Sequence, residues 1–356
     1  MEVEIPPQFK LNGYAYSNEE LKEVAYSLIK EGVDFEKEIG DFLLDWLSPD
    51  PALTVRTSGS TGLPSGVALK KQHMVNSAKV TAEYFGLEAG DRVLLCLSAS
   101  YIAGKMMLVR AMVLGLELDF VPPTSRPLDS VAKSYKFCAM VPLQLESSIN
   151  KLNQIETIIV GGAPVSPQLR NLVNSCSAKV YETYGMTETI THVAVRPLNH
   201  CDANSDPNAF EILPDISISQ DDRKCLVINA PNISDDPVIT NDIVELISEK
   251  EFIWLGRYDN IINSGGIKLI PEQIEQKLSA LIESRFFVSA LPDAKLGQKL
   301  ALVIEGANIE GLRELINKAD LNKFELPKEI FYVPAFKNTA NGKIIREKSL
   351  SMIKSC

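Results

Sequence analysis

Apolar residues first recur at helical spacing, then in short unbroken runs. Leu21, Val24, Ala25, Leu28 and Ile29 fall three and four apart and predict a helix over 17–31. Ser17 with Glu20 fits a capping box, and Gly32 is a stop signal. Phe35, Ile39, Phe42, Leu43 and Trp46 predict a second helix over 35–47. From residue 71 helices alternate with apolar runs. A helix over 71–85 ends at Gly86, and one over 102–114 ends at Gly115. Another starts with Ser166 as cap and Pro167 in its first turn. The run 92–97, apolar after Arg92, reads as a strand covered on both faces, and 117–121, 137–141, 156–160 and 179–183 read as further strands.

This alternation predicts an α/β fold, a large N-terminal domain built on a mostly parallel sheet. Its ligands are expected beyond the carboxyl ends of the strands, where the loops 161–163 and 184–189 fall. From 190 to 256 the texture changes to short strands with Asp-Asp and Asn-Asp turns, a β-rich subdomain. Residues 260–356 read as a small α+β domain. It has strands at 260–263, 286–291, 299–305 and 329–333, a helix opened by Pro271, a helix over 308–318 and a terminal helix. The expected division is 1–257 and 258–356.

With 356 residues, two or three domains are expected. A net charge of −10, with acids and bases mixed along the chain, argues against a nucleic-acid surface. It leaves room for a small anionic ligand, which needs only local positive charge. No apolar run reaches bilayer length and no leader pattern opens the chain, so no membrane insertion and a cytoplasmic location are expected. The six cysteines form no CxxC pair and read as reduced thiols, and the histidines at 73, 192 and 200 make no zinc pattern. A homo-oligomer stays open.

The candidate chemistry begins at Thr57–Gly66, TSGSTGLPSG. A strand-like run containing Leu53 and Val55 leads into it. Glycines let backbone N–H groups converge, and Ser58, Ser60 and Thr61 add hydroxyl donors, which suits a polyphosphate. Such a stretch alone also fits a flexible linker. Four further fragments follow in order: Tyr184-Gly185-Met186-Thr187-Glu188, Thr240-Asn241-Asp242, Gly256-Arg257-Tyr258-Asp259 and Asn341-Gly342-Lys343. With these five, the chain resembles the adenylate-forming acyl- and aryl-CoA ligases. The segments 101–107, 140–144, 183–192 and 260–266 are most similar to the o-succinylbenzoate–CoA ligases among them.

The resemblance implies ATP, Mg²⁺ and coenzyme A, with a small-molecule acid as the remaining substrate. The acid's carboxylate attacks the α-phosphorus of ATP, and the thiol of coenzyme A then displaces AMP. By the same resemblance, Thr57, Ser58, Gly59, Ser60, Thr61 and Gly62 cradle phosphates. Gly161, Gly162, Ala163, Tyr184 and Gly185 surround adenine, and Asp242 and Arg257 hold ribose or phosphate. Lys343 and Thr187 are catalytic, with Glu188 as catalytic residue and metal ligand. Tyr101, Ala103, Gly104, Lys105, Arg110 and Thr189 line the acid pocket. Arg110 is preferred for a second carboxylate, which needs a basic partner once desolvated. Gly265 and Gly266 face coenzyme A, and Asp259 is the hinge of a mobile small domain.

Three departures from the pattern stand out. Ser65 replaces the usual loop lysine, a loss that Lys70 or Lys71 is expected to ease. The front region is short, and Tyr101 stands where a histidine is frequent. Two alternatives are another adenylating ligase with a different acid or acceptor, and a non-catalytic nucleotide-binding regulator.

Overall fold

The computed structural model describes residues 4–56, 66–201, 206–338 and 344–353. The chain divides into two compact units, Met1–Ser217 with Ile228–Val238, and Ile218–Val227 with Ile239–Cys356.

In the first unit the elements are β1 (Lys10–Leu11), β2 (Tyr14–Ala15), α1 (Asn18–Glu31), α2 (Asp34–Leu47), β3 (Ala52–Arg56), β4 (Gly66–Lys70), α3 (Lys71–Phe85), β5 (Arg92–Leu95) and α4 (Ile102–Leu114). They continue with β6 (Glu117–Phe120), β7 (Tyr135–Met140), α5 (Pro142–Ser147), β8 (Ile155–Val160), α6 (Pro167–Val173), β9 (Lys179–Gly185), β10 (His192–Pro197) and β11 (Ala209–Ile212). The sheet runs β11-β10-β9-β8-β7-β5-β6-β1-β2. It is parallel from β9 through β1. β10 and β11 extend it antiparallel.

Both faces are covered, as the apolar runs require. Val93 and Leu95 join a core with Phe42, Trp46, Met74 and Met107, under α1 to α4. Leu94 and Cys138 join the opposite core with Leu145 and Leu169, under α5 and α6. The chain goes from β5 to β6 on one side, then to β7 on the other. A crevice opens at such a reversal, beyond the strand ends. The loop after β5 and the loops after β8 and β9 all leave the sheet at that end.

The helix signals in the sequence correspond to real caps. Ser17 Oγ accepts from Glu20 N at 3.3 Å, while the Glu20 carboxylate accepts from Ser17 N at 2.8 Å. Gly86 and Gly115 close α3 and α4 in the left-handed conformation. Between Gly66 and the helix at Lys71, the sequence reading overlooked a return strand. β4 pairs antiparallel with β3, from Ala52 opposite Lys70 to Arg56 opposite Gly66. Residues 57–65 therefore connect two strands of a hairpin. The cysteines at 96, 138, 176, 201 and 225 are free thiols.

β12 (Ser217–Gln220), β13 (Cys225–Asn229), β14 (Val238–Leu246) and β15 (Glu251–Arg257) are adjacent in that order; the second unit takes them from Ile218 on, apart from Ile228–Asn229 and Val238. Then come β16 (Ile262–Ser264), β17 (Ile267–Leu269), α7 (Pro271–Leu278), β18 (Phe286–Asp293), β19 (Gly297–Glu305), α8 (Leu312–Lys318), β20 (Glu329–Val333) and α9 (Arg346–Ser351). β17, β16, β19 and β18 form a sheet in that order, and β20 joins β19 in parallel. α8 starts four residues later than expected, after Gly311 at φ +72°. Compactness does not divide the chain at 257. Gly256 is the reason visible in the packing: a Cβ there would sit 2.5 Å from both Ile270 Cγ2 and Glu272 Oε2. This close packing beside α7 groups β15 with the C-terminal elements.

Candidate active site

In the first unit, β8 and β9 carry the expected adenine-side loops. Gly161 donates its N–H to Met140 O at 3.1 Å, and a Cβ on it would meet Thr183 Oγ1 at 2.5 Å. Ala163 follows it, and Gly162 between them has φ +84°. Tyr184 lies near the end of β9 with its ring 5.9 Å from Phe210, and Gly185, the last residue of β9, pairs with His192 of β10.

The turn from β9 to β10 is tightly determined. Thr187–Thr189 is one turn of 3₁₀ helix. Ile190 then adopts φ +66°, strained for a β-branched residue, with its side chain buried. Thr189 is fully buried. Its hydroxyl accepts from Met186 N at 3.0 Å and donates toward Thr191 O at 2.8 Å, so it shapes the turn. Glu188 is exposed, with no hydrogen-bond or ion-pair partner among the described residues. No group of three or more metal-ligating side chains occurs among those residues. A lone carboxylate suits Mg²⁺ when phosphates and water complete its oxygen shell.

α4 arises from the end of β5. Tyr101 caps it, Ala103 is exposed, and Gly104 packs against Ser98 O. Lys105 and Arg110 diverge, as five-residue spacing on a helix requires. The Lys105 ammonium lies over the Phe42 ring of α2, 4.9 Å from its centroid. Burial lowers its pKa, against the pull of Asp45, Glu38 and Asp41.

Arg110 is 1% exposed. Its Nη2 donates to Thr191 Oγ1 at 3.1 Å and its Nη1 to Met107 Sδ at 3.6 Å, while Nε has no partner. No carboxylate pairs with it among the described residues, and burial lowers its pKa to about 10. His192, also buried, lies 3.1 Å from Thr191 Oγ1 through Nδ1. Burial, then the Arg110 charge, hold its pKa well below the usual histidine range. Sequence reasoning missed Thr191 and His192, since neither belongs to a charged motif.

Thr57, Ser58, Gly59, Ser60, Thr61, Gly62 and Ser65 lie outside the described residues, as does Lys343. The two lysines expected to compensate for Ser65 are already engaged. Lys71 is fully buried and donates to Ser48 O at 2.7 Å and Ser48 Oγ at 3.2 Å. Lys70 pairs with Asp235 at 2.6 Å, beside His73. Lys71 is thus a structural cation at the head of α3.

The second unit holds the remaining candidates. Asp242 on β14 is buried; it accepts from Trp254 Nε1 at 3.1 Å and pairs with Arg257 Nη1 at 3.5 Å. Arg257 also reaches Asp259 at 3.3 Å, and Asn241 Nδ2 donates to the same carboxylate at 3.1 Å. Arg223 ties in by donating to Asn241 Oδ1 at 2.7 Å and Thr240 O at 3.0 Å. The Thr240–Asp242 and Arg257–Asp259 segments therefore form one polar network. Gly265 and Gly266, at φ +60° and +83°, make the turn between β16 and β17.

A mostly parallel sheet with Thr187-Glu188 at its carboxyl edge, followed by an antiparallel and a small α+β section, defines an adenylate-forming fold. The chain belongs to the AMP-binding enzyme family, whose profile matches residues 17–222. It is 36% identical to an acyl-CoA synthetase (AMP-forming)/AMP-acid ligase II-like protein from Dyadobacter fermentans. That match covers 93% of this chain and 98% of the other, with a TM-score of 0.61. The O-succinylbenzoate coenzyme A synthetase (MenE) of Bacillus subtilis, solved with ATP and magnesium, shares its fold at a TM-score of 0.72 and 20% identity, over 83% of this chain and 69% of that one. A 2-succinylbenzoate–CoA ligase of Enterococcus faecalis is 24% identical, over 83% of this chain and 68% of its own length.

Proposed function

We propose that this chain is a cytoplasmic enzyme that ligates o-succinylbenzoate to coenzyme A through an acyl-adenylate, a step of menaquinone biosynthesis. The observation that carries the reading is Arg110. A guanidinium is costly to bury, and the usual compensation is a paired anion. Here the described residues supply none, and the group is tied to Thr191, three residues after Glu188. A dicarboxylic acid anchored at Arg110 by one carboxylate extends its other toward the phosphate-handling turn. The relatives named 2-succinylbenzoate–CoA ligase support that acid.

In the first half-reaction a carboxylate oxygen attacks the α-phosphorus of ATP and pyrophosphate leaves. Two anions must approach, so catalysis consists of positioning and positive charge. Thr187 donates to the α-phosphate, and Glu188 holds Mg²⁺, which neutralises phosphate charge when bound. The Thr57–Gly62 hydroxyls and N–H groups retain the pyrophosphate. Tyr184 stacks on adenine, and Asp242, oriented by Trp254 and Arg257, accepts from ribose hydroxyls. Lys343 bridges the attacking carboxylate and the phosphate. In the second half-reaction the thiolate of coenzyme A attacks the acyl carbonyl and AMP leaves. A rotation of 258–356 about Asp259, parting α7 from β15, exchanges Lys343 for the Gly265-Gly266 turn, whose missing side chains leave room for the pantetheine arm.

A pyrophosphate-exchange screen over mono- and dicarboxylic acids, followed by coenzyme A, tests this reading. Exchange with o-succinylbenzoate and AMP-coupled thioester formation are expected. Exchange with a different acid alone would replace the substrate. Exchange with none would leave a nucleotide-binding protein.

A further inference from the structure

Thr191 Oγ1 stands between two nitrogens. It accepts from Arg110 Nη2 at 3.1 Å and lies 3.1 Å from His192 Nδ1. A hydroxyl carries one hydrogen. Nδ1 is the acceptor within its reach among the described residues. If Nδ1 carried the proton instead, two donors would face the oxygen and its hydrogen would be stranded. The arrangement therefore assigns a neutral ring protonated on Nε2. Nε2 is buried without a hydrogen-bond partner among the described residues in either tautomer, so the contact at Nδ1 makes the choice. Arg110 approaches from α4, and Phe85 of α3 lies 6.2 Å away. Ser77, Val80 and Asp215 share a crevice with the ring. Burial and the Arg110 charge both disfavour a second proton.

We propose that His192 is a positioning residue for Arg110. By accepting the Thr191 hydroxyl at Nδ1, it turns that oxygen's lone pair toward the guanidinium. This fixes the direction in which Arg110 presents its remaining N–H groups to the second carboxylate of a dicarboxylic acid. The inference rests on the reading of Arg110 as the acid's anchor. It adds an acid-specificity role to the last residue of the 183–192 segment, to which the sequence alone assigns no chemical task. A neutral ring serves this purpose better than a charged one, because imidazolium has no acceptor for the hydroxyl.

Three substitutions separate the role from mere packing. His192→Asn puts an amide oxygen near the position of Nδ1. His192→Gln reaches the Nε2 position and offers nothing at Nδ1. His192→Leu removes both. The readout is the ratio of kcat/KM for o-succinylbenzoate to that for a monocarboxylic analogue lacking the succinyl carboxylate, with the KM for ATP as control. The ratio is expected to fall about tenfold in His192→Leu and His192→Gln, the effect of one misdirected hydrogen bond, and to recover in His192→Asn. The KM for ATP should stay unchanged. If His192→Leu fails to fold, the Gln and Asn pair still decides. An unchanged ratio in His192→Gln, or an Asn variant no better than Gln, overturns the inference. A wild-type protein that does not prefer the dicarboxylic acid overturns the Arg110 reading, which is a separate outcome.

Discussion

Arg110 occupies a helix whose other buried positions are glycine, methionine, leucine, valine and alanine. Stability alone would fill it with another apolar side chain. Replacing buried charge by well-packed apolar groups is often neutral or stabilising, by about 1–4 kcal/mol. Arg110→Met should therefore raise the melting temperature, or leave it unchanged, while impairing use of a dicarboxylic acid. Losing a desolvated carboxylate–guanidinium contact costs roughly 2–5 kcal/mol, about thirtyfold or more in kcat/KM. Thermal unfolding alongside steady-state kinetics checks both halves. A melting temperature several degrees lower would mark Arg110 as structural. Lys71 provides the opposite case within the same unit. Its ammonium is also buried, but Ser48 satisfies it. Lys71→Met leaves Ser48 O without that donor and should destabilise by about 1–3 kcal/mol.

At the scale of elements, α7 and α9 are joined by excess negative charge. Arg346 of α9 pairs with Glu275 at 2.9 Å and Glu272 at 3.6 Å, both on α7, and donates to Val288 O at 3.2 Å. Glu275 also accepts from Val288 N at 2.7 Å. Burial raises its pKa to about 7, although Arg346 pulls the other way. A carboxyl with a raised folded-state pKa binds more protons folded than unfolded. Its contribution to stability is present below its ordinary value near 4.5 and is lost as pH rises to about 7. The loss is on the order of 3 kcal/mol. The second unit's stability should accordingly fall from pH 5 to pH 7.5, and Glu275→Gln should flatten that slope. An equal slope in the variant would assign the effect elsewhere. None of this was legible in the sequence, where Glu272 and Glu275 look like a solvated helix face. What the sequence did reveal was periodic or punctuated: α1 through Ser17 and Glu20, α3 and α4 through Gly86 and Gly115, β5 and β7 through their apolar runs. β4 went unseen because five residues, GVALK, carry too little pattern between a loop and a helix. Ile190 went unseen because a strained backbone angle is a product of packing on both sides of a turn. The site divides likewise. Thr187, Glu188, Asp242 and Arg257 stood in motifs, whereas the shared hydroxyl of Thr191 exists only when α4 meets β10.

For the whole molecule, the question is how a chain of net charge −10 brings carboxylate and polyphosphate together. Lys70 and Lys71 lie at the end of the β3–β4 hairpin away from residues 57–65 and are committed, Lys70 to Asp235 and Lys71 to Ser48. Arg257 is shared between Asp242 and Asp259. Under the proposed mechanism the decisive charge comes from Lys343, and the chain on either side of its segment is well anchored. Asn338 bridges to Ile344, Ile345 N donates to Lys337 O at 2.7 Å, and Lys337 N donates to Ser349 Oγ at 3.1 Å. Under that mechanism Lys343 acts as a point charge in the step where two anions meet. Thioester formation expels AMP from an acyl-adenylate whose pyrophosphate has gone, and it makes no such demand. Lys343→Ala should slow acid-dependent pyrophosphate exchange by about 10²–10³-fold, the usual effect of removing one electrostatic stabiliser. Thioester formation from supplied acyl-adenylate and coenzyme A should stay within about threefold of wild type, since no interaction of that transition state is removed. The two rates can be measured on one preparation. Equal loss in both would show that Lys343 serves a step common to the two halves, and the assignment of roles between the halves would then have to be redrawn.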